Sequence, residues 1–212
     1  MQGFSYTHII WDWNGTLFDD AWLCVEVMNG LLTRRDLPPI TPTTYETVFD
    51  FPVIDYYRKL GFDFTREPFE QVSTEFISGY QNRVEECRLR DRAHLALSAA
   101  EPLGITQSIL SAMKQDMLND LINHFGLRPY FTDVVGIADH HAAGKTEVAK
   151  RWMSRSRLKP DTVLFVGDTT HDYAVAQALG VDSCAIYSGH HSRKRLSATG
   201  MRLIDSLIDV YE

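Results

Sequence analysis

Long hydrophobic runs are missing from this chain. No apolar stretch approaches the roughly 18 residues of a membrane span, so no membrane partner is expected. Residues 1–10 show no basic region followed by an apolar core, so a secretory signal is not expected and a cytoplasmic location is. Cysteine is scarce: Cys24, Cys87 and Cys184 are odd in number and far apart, and neither a disulfide framework nor a zinc site follows from them. They read as small buried hydrophobes in a reducing compartment. Positive charge is in deficit, with 21 Lys and Arg against 28 Asp and Glu, a net charge of −7. That balance argues against nucleic acid as a partner. Internal repeats and low-complexity tracts are absent as well.

What is present is an ordinary globular composition. The 212 residues are 44% apolar and 23% charged, enough for one or two domains with a sizeable core. Five apolar runs of four or five residues lie at 8–11, 107–110, 133–137, 162–166 and 183–187. They are too short for helices and lack clean alternation, as strands buried on both faces do. Helical patterns at 113–125, 146–153 and 173–179 separate the later runs. Alternation of this kind predicts an α/β fold with a parallel, Rossmann-like sheet.

Between the first two strands the pattern changes. Residues 21–35 and 53–60 read as helices, and Phe69, Val72, Phe76, Tyr80 and Val84 step along one face of a longer one. No convincing buried strand interrupts them. Residues 20–90 therefore read as a helical insertion, with 1–19 and 91–212 forming the core and a helix over 92–103 leading back to the sheet.

Chemistry concentrates at two strand ends. The first strand runs into Asp12-Trp13-Asn14-Gly15-Thr16-Leu17, and the fourth into Gly167-Asp168-Thr169-Thr170-His171-Asp172. In open α/β sheets, ligands bind beyond the carboxyl ends of the strands. Alone, Asp12 could simply cap a turn, and the second cluster could cap a helix. Together, Asp12, Asp168 and Asp172 form a hard-oxygen set suited to Mg²⁺.

These residues resemble the motifs of the haloacid dehalogenase-like hydrolases, specifically the phosphoglycolate-phosphatase-like branch with a helical cap. Asp12 to Leu17 match the first motif. Ser111 matches the Ser or Thr that closes the next core strand, Lys145 the Lys before a helix, and Gly167, Asp168 and Asp172 the fourth motif. Ser98 is a rival for the second motif, but its neighbours Ala93, Leu97, Ala100 and Leu103 have helical spacing.

The resemblance implies a phosphatase acting on a small phosphorylated metabolite, as monomer or homodimer. Asp12 would be the nucleophile, forming an aspartyl-phosphate. Asp12, Asp168 and the backbone carbonyl of Asn14 would hold Mg²⁺, with Asp172 behind them. Lys145 and Ser111, with backbone N–H groups of Gly15, Thr16 and Ala112, would bind the phosphate. The family's general acid and base is an Asp two residues after the nucleophile, and here that residue is Asn14. An amide cannot transfer that proton, a contribution of about 10²–10⁴ in rate. A weakly active or non-catalytic phospho-ligand-binding protein of the same fold is therefore the alternative. Dehalogenation needs no metal, and Asp168 and Asp172 argue against it.

Several other residues carry two readings. His171 could replace the missing acid or be a solvated loop residue. The pairs His140–His141 and His190–His191 read as solvated loop residues, and Arg193-Lys194-Arg195 as a solvated helix. Trp11, Trp13 and Trp22 could shape a pocket but read better as core. Arg58 and Lys59 could hold a substrate carboxylate. Asp50-Phe51-Pro52-Val53 lacks the glycine of the family's specificity loop, which weakens the transfer of phosphoglycolate as substrate.

Overall fold

The computed structural model of the chain describes residues 5–138, 144–187 and 189–212. The first strand, β1 (His8–Trp11), is buried along its whole length. A two-residue strand, β2 (Phe18–Asp19), follows, then helices α1 (Ala21–Thr33), α2 (Pro42–Val48), α3 (Val53–Lys59) and α4 (Phe69–Gln81). The chain returns through β3 (Arg88–Leu89), which pairs antiparallel with β2. The helical stretch thus leaves and re-enters through one short ribbon. Next come α5 (Ala93–Ala99), β4 (Thr106–Lys114), α6 (Gln115–His124), β5 (Asp133–Ile137), α7 (Gly144–Ser156) and β6 (Val163–Gly167). The chain ends with α8 (Thr170–Leu179), β7 (Asp182–Ile186), α9 (Arg193–Ser197) and β8 (Arg202–Ile204).

Six strands form one parallel sheet in the order β5-β4-β1-β6-β7-β8. This is the α/β, Rossmann-like arrangement that the alternating pattern predicts, with a helical insertion after β1. The apolar faces of the sheet are covered on both sides. Ile9, Trp11, Ile109 and Val166 belong to a core shared with the inserted helices, while Ile10, Leu110, Phe165 and Val175 form a second cluster. Trp11 and Trp13 are fully buried in the first, and Trp13 stacks on Phe18 with ring centroids 5.1 Å apart. Among the described residues, no helix is long and apolar enough to cross a membrane.

Two elements differ from expectation for identifiable reasons. The second core strand does not close at Ser111. It continues to Lys114 through a register shift between Leu110 and Lys114, so the next helix starts at Gln115. Such bulges re-aim side chains, often beside functional sites. The helix expected over 92–103 breaks into α5 and a 3₁₀ turn at Glu101–Leu103, because Pro102 has no N–H to continue the α-helical ladder.

Candidate active site

The order of strands sets the site. β1 lies between β4 and β6, so its carboxyl end is where the sheet reverses direction of growth, the usual ligand crevice of open α/β sheets. Asp12 follows β1 directly and its N–H donates to Val166 O at 2.8 Å, which fixes it beside the end of β6. Asp168 follows β6. Asp172 lies in the first turn of α8, where its carboxylate accepts from the N–H and hydroxyl of Thr169 at 3.0 and 2.7 Å. Thr169 in turn accepts from the Asp172 N–H, a reciprocal capping box. Asp172 therefore caps its helix as well as facing the site.

Lys145 in α7 ties this group together. Its ammonium donates to Asp12 Oδ1 at 2.5 Å and to Asp172 Oδ1 at 2.6 Å, and all three residues are buried. Thr16 is also buried, and its hydroxyl lies 3.3 Å from Asp12 Oδ2 and 3.1 Å from Asp168 Oδ1. Oxygens of Asp12, Asp168 and Asp172 lie within 4.8 Å of one another. Two of the three carboxylates thus pair with the ammonium, and Asp168 is held by Thr16 and the His190 N–H. Burial pushes the Asp12 carboxyl up to about 8, against the pull of Lys145, and raises that of Asp168 to about 6. At Asp172 burial is outweighed by Lys145 and Thr169, and the carboxyl is held at about 2.

Glycine is required at two points around Asp168. Gly15 has φ of +72°, and a Cβ there or at Gly189 would overlap the Asp168 carboxylate. Next to Gly189, the His190 N–H donates to Asp168 Oδ2 at 2.5 Å.

Asn14 faces a second buried network. Its amide donates to Asp20 Oδ2 at 2.7 Å and lies 3.1 Å from the Tyr80 hydroxyl, which itself donates to Asp20 at 2.6 Å. The Gly15 N–H donates to Asp20 Oδ1 at 2.9 Å, and His190 Nε2 lies 3.4 Å from the same oxygen. His190 Nδ1 meets the Tyr45 hydroxyl at 2.7 Å. Burial alone would raise the Asp20 carboxyl, but His190, Tyr80 and Asn14 hold it below its ordinary value. Burial alone would lower His190, but Asp20 and Asp168 raise it to about 9. Asp20, Tyr80 and His190 escape the sequence reading. Asp20 is one more acid beside Asp19, Tyr80 reads as a core position on a helical face, and His190 sits in a loop.

The remaining residues fall on either side of the site. The Ser111 hydroxyl accepts from the Met113 N–H at 3.0 Å and lies 3.4 Å from Asn14 Oδ1, so the bulge of β4 turns it toward Asn14. Ser98 is exposed on α5 and donates to Leu95 O. Ala112, Asn14, Lys145 and the three aspartates line one cavity of about 410 Å³, while Ser111, Gly15 and Thr16 do not line it. His171 also lines it, its ring 4.8 Å from that of Phe51.

Two surface readings change. His190 and His191 are buried rather than solvated. Arg195 is half-buried and reaches the inserted helices, pairing with Asp50 at 2.9 Å and donating to Phe49 O. Arg58 is paired with Asp55 at 2.7 Å, and neither it nor Lys59 lines the cavity. His140 and His141 lie outside the described residues.

Comparison with known proteins bears on the family and the fold. A family model described as haloacid dehalogenase-like hydrolase matches residues 9–186. The phosphoglycolate phosphatase of Synechococcus elongatus is 23% identical over 194 residues, covering 90% of this chain and 88% of its own length. The tyrosine-protein kinase PtkA of Mycobacterium tuberculosis is 22% identical over 184 residues, 86% of this chain, and the match spans only 62% of that longer protein. A haloacid dehalogenase-like hydrolase of Streptococcus pneumoniae shares the fold, with a TM-score of 0.82 at 17% identity over 97% of each chain. The chain belongs to the haloacid dehalogenase-like hydrolases.

Proposed function

We propose that this hydrolase of phosphate esters is a Mg²⁺-dependent phosphatase that passes the phosphoryl group of a small monoester to Asp12 and then to water. One observation carries the reading: Asp12, Lys145, Asp168 and Asp172 converge, buried, at one end of a cavity large enough for a small molecule. The donor set fits the ion. Oxygens of three buried carboxylates lie within 4.8 Å of one another, and all the donors are hard oxygens. Asp12, Asp168 and the Asn14 carbonyl would hold Mg²⁺, with Asp172 supporting from behind. When bound, the ion neutralises the phosphoryl oxygens and favours ionised Asp12.

The chain's own residues perform the rest. An Asp12 carboxylate oxygen attacks phosphorus, and the bond from phosphorus to the ester oxygen breaks. Lys145 holds Asp12 in place and offers positive charge to the phosphoryl group. Thr16 fixes the second Asp12 oxygen and Asp168 together. The inserted helices would act as a cap that excludes water and shapes the substrate site.

Asn14 sets the limit on rate. Its amide is committed to Asp20 and Tyr80 and cannot give a proton to a departing alkoxide or take one from water. This geometry also favours the second reading, a protein that binds a phosphorylated ligand and turns it over slowly or not at all. Aryl phosphates, whose leaving group needs no proton, should phosphorylate Asp12 faster than alkyl phosphates. Turnover of p-nitrophenyl phosphate and ethyl phosphate, with Mg²⁺ and with a chelator, tests the reading. Mg²⁺-dependent release, with an initial burst of alcohol faster for the aryl ester and slow release of phosphate from both, supports it. Chelator-insensitive release, or no release from either ester even in Asn14→Asp, contradicts it.

A further inference from the structure

The cavity has two unlike ends. One is the ionic cluster around Lys145. The other is walled by the inserted helices, with Ile54 and Tyr57 of α3 and Phe69, Phe76 and Ile77 of α4. No Lys, Arg or His from these helices lines it among the described residues. Lys145 is committed to Asp12 and Asp172, and His190 to Asp20 and Tyr45. Lys114 lines the cavity from the end of β4, 42% exposed and 3.9 Å from Asp116. Arg58 is 56% exposed and bound to Asp55. The buried hydroxyl of Tyr56, another lining residue, has no hydrogen-bond partner among the described residues.

A second anionic group entering this end would gain no ionic partner from the inserted helices, the basic side chains of Lys114 and His171 lining the cavity from β4 and α8, and leaving water without a partner is costly. An apolar body would gain by burial, and the volume, about 410 Å³, lies in the range of small-molecule sites. We propose that the ligand is a phosphate monoester of a bulky, apolar, ring-sized alcohol with no carboxylate beside its phosphate. This rests on the phosphatase reading for the position of the phosphate, and it separates the chain from a phosphoglycolate-type substrate. Aromatic rings of Tyr57, Phe69 and Phe76 would pack against the body, and the Tyr56 hydroxyl is available to a polar substituent.

The test compares binding of three non-hydrolysable phosphonates to the full chain with Mg²⁺ by calorimetry. 2-Phenylethylphosphonate should bind roughly 10²-fold more tightly than ethylphosphonate, as burial of one added ring implies. Phosphonoacetate, with its carboxylate, should bind no more tightly than ethylphosphonate. Phe76→Ala and Ile77→Ala should each narrow the phenylethyl-to-ethyl ratio, a comparison made within one folded variant. Tighter binding of phosphonoacetate, or a ratio unmoved by both substitutions, overturns the proposal. Turnover of 2-phenylethyl phosphate is followed in parallel. Selective binding without turnover upholds the ligand class and counts against the hydrolase reading, whereas turnover with phosphonoacetate preferred does the reverse.

Discussion

Position 14 shows how one amide is built into its surroundings. An Asp there would set its carboxylate against that of Asp20, since Asn14 Nδ2 lies 2.7 Å from Asp20 Oδ2. One of the two acids would have to carry a proton or turn away. Asn14→Asp should therefore have two effects. It should raise turnover of alkyl phosphates by roughly 10²-fold, by supplying the missing acid and base. It should also lower stability by about 1–3 kcal/mol, because a charge-assisted hydrogen bond becomes a repulsion. Adding Asp20→Asn should recover part of the lost stability by reversing the polarity of that bond. Steady-state kinetics and chemical denaturation of the three proteins check this, and a stable Asn14→Asp with unchanged turnover would contradict it. At this scale the sequence is unevenly readable. Asp12, Asn14, Asp168 and Asp172 are legible because strand ends fix their spacing. Asp20, Tyr80, Gly189 and His190 are not, because only folding brings Tyr80 from α4 and His190 from beyond β7 to the turn after Asp12.

Among elements, those that obey a strong periodicity are legible and those that depend on a neighbour are not. The five long core strands and α1, α3, α4 and α6 follow from apolar spacing to within a few residues. α2 does not, because only Tyr45 of its seven residues is buried and no apolar face repeats. β2, β3 and β8, two or three residues each, exist through their pairing and carry no pattern of their own. β1 also carries a pH dependence. His8, at its start, is buried, with Nδ1 2.7 Å from Thr106 Oγ1 of β4. Burial holds its imidazole down at about 4, below the ordinary 6.5. The folded chain therefore binds fewer protons here than the unfolded chain between those values. The contribution is intact above pH 6.5 and is lost as pH falls toward 4, by up to about 1.4 kcal/mol per pH unit. Denaturation at pH 7 and pH 5 should show a larger loss for the natural chain than for His8→Gln. Equal losses would contradict the assignment.

On the scale of the whole molecule, the parallel sheet and the helical insertion divide the labour. The sheet brings Asp12 and Asp168 to adjacent strand ends, and α7 and α8 deliver Lys145 and Asp172 to the same point. The insertion supplies the apolar wall of the cavity, and Arg195 of α9 ties it back to the core through Asp50. The proposed reaction turns on Asp12 receiving the phosphoryl group. Intact-protein and peptide mass spectrometry after rapid mixing with an aryl phosphate and Mg²⁺ tests that directly. One phosphoryl group should appear on Asp12, persist because Asn14 cannot activate the water that removes it, and vanish in Asp12→Asn together with turnover. Sustained turnover in Asp12→Asn, or a phosphoryl group trapped on another residue, would contradict it.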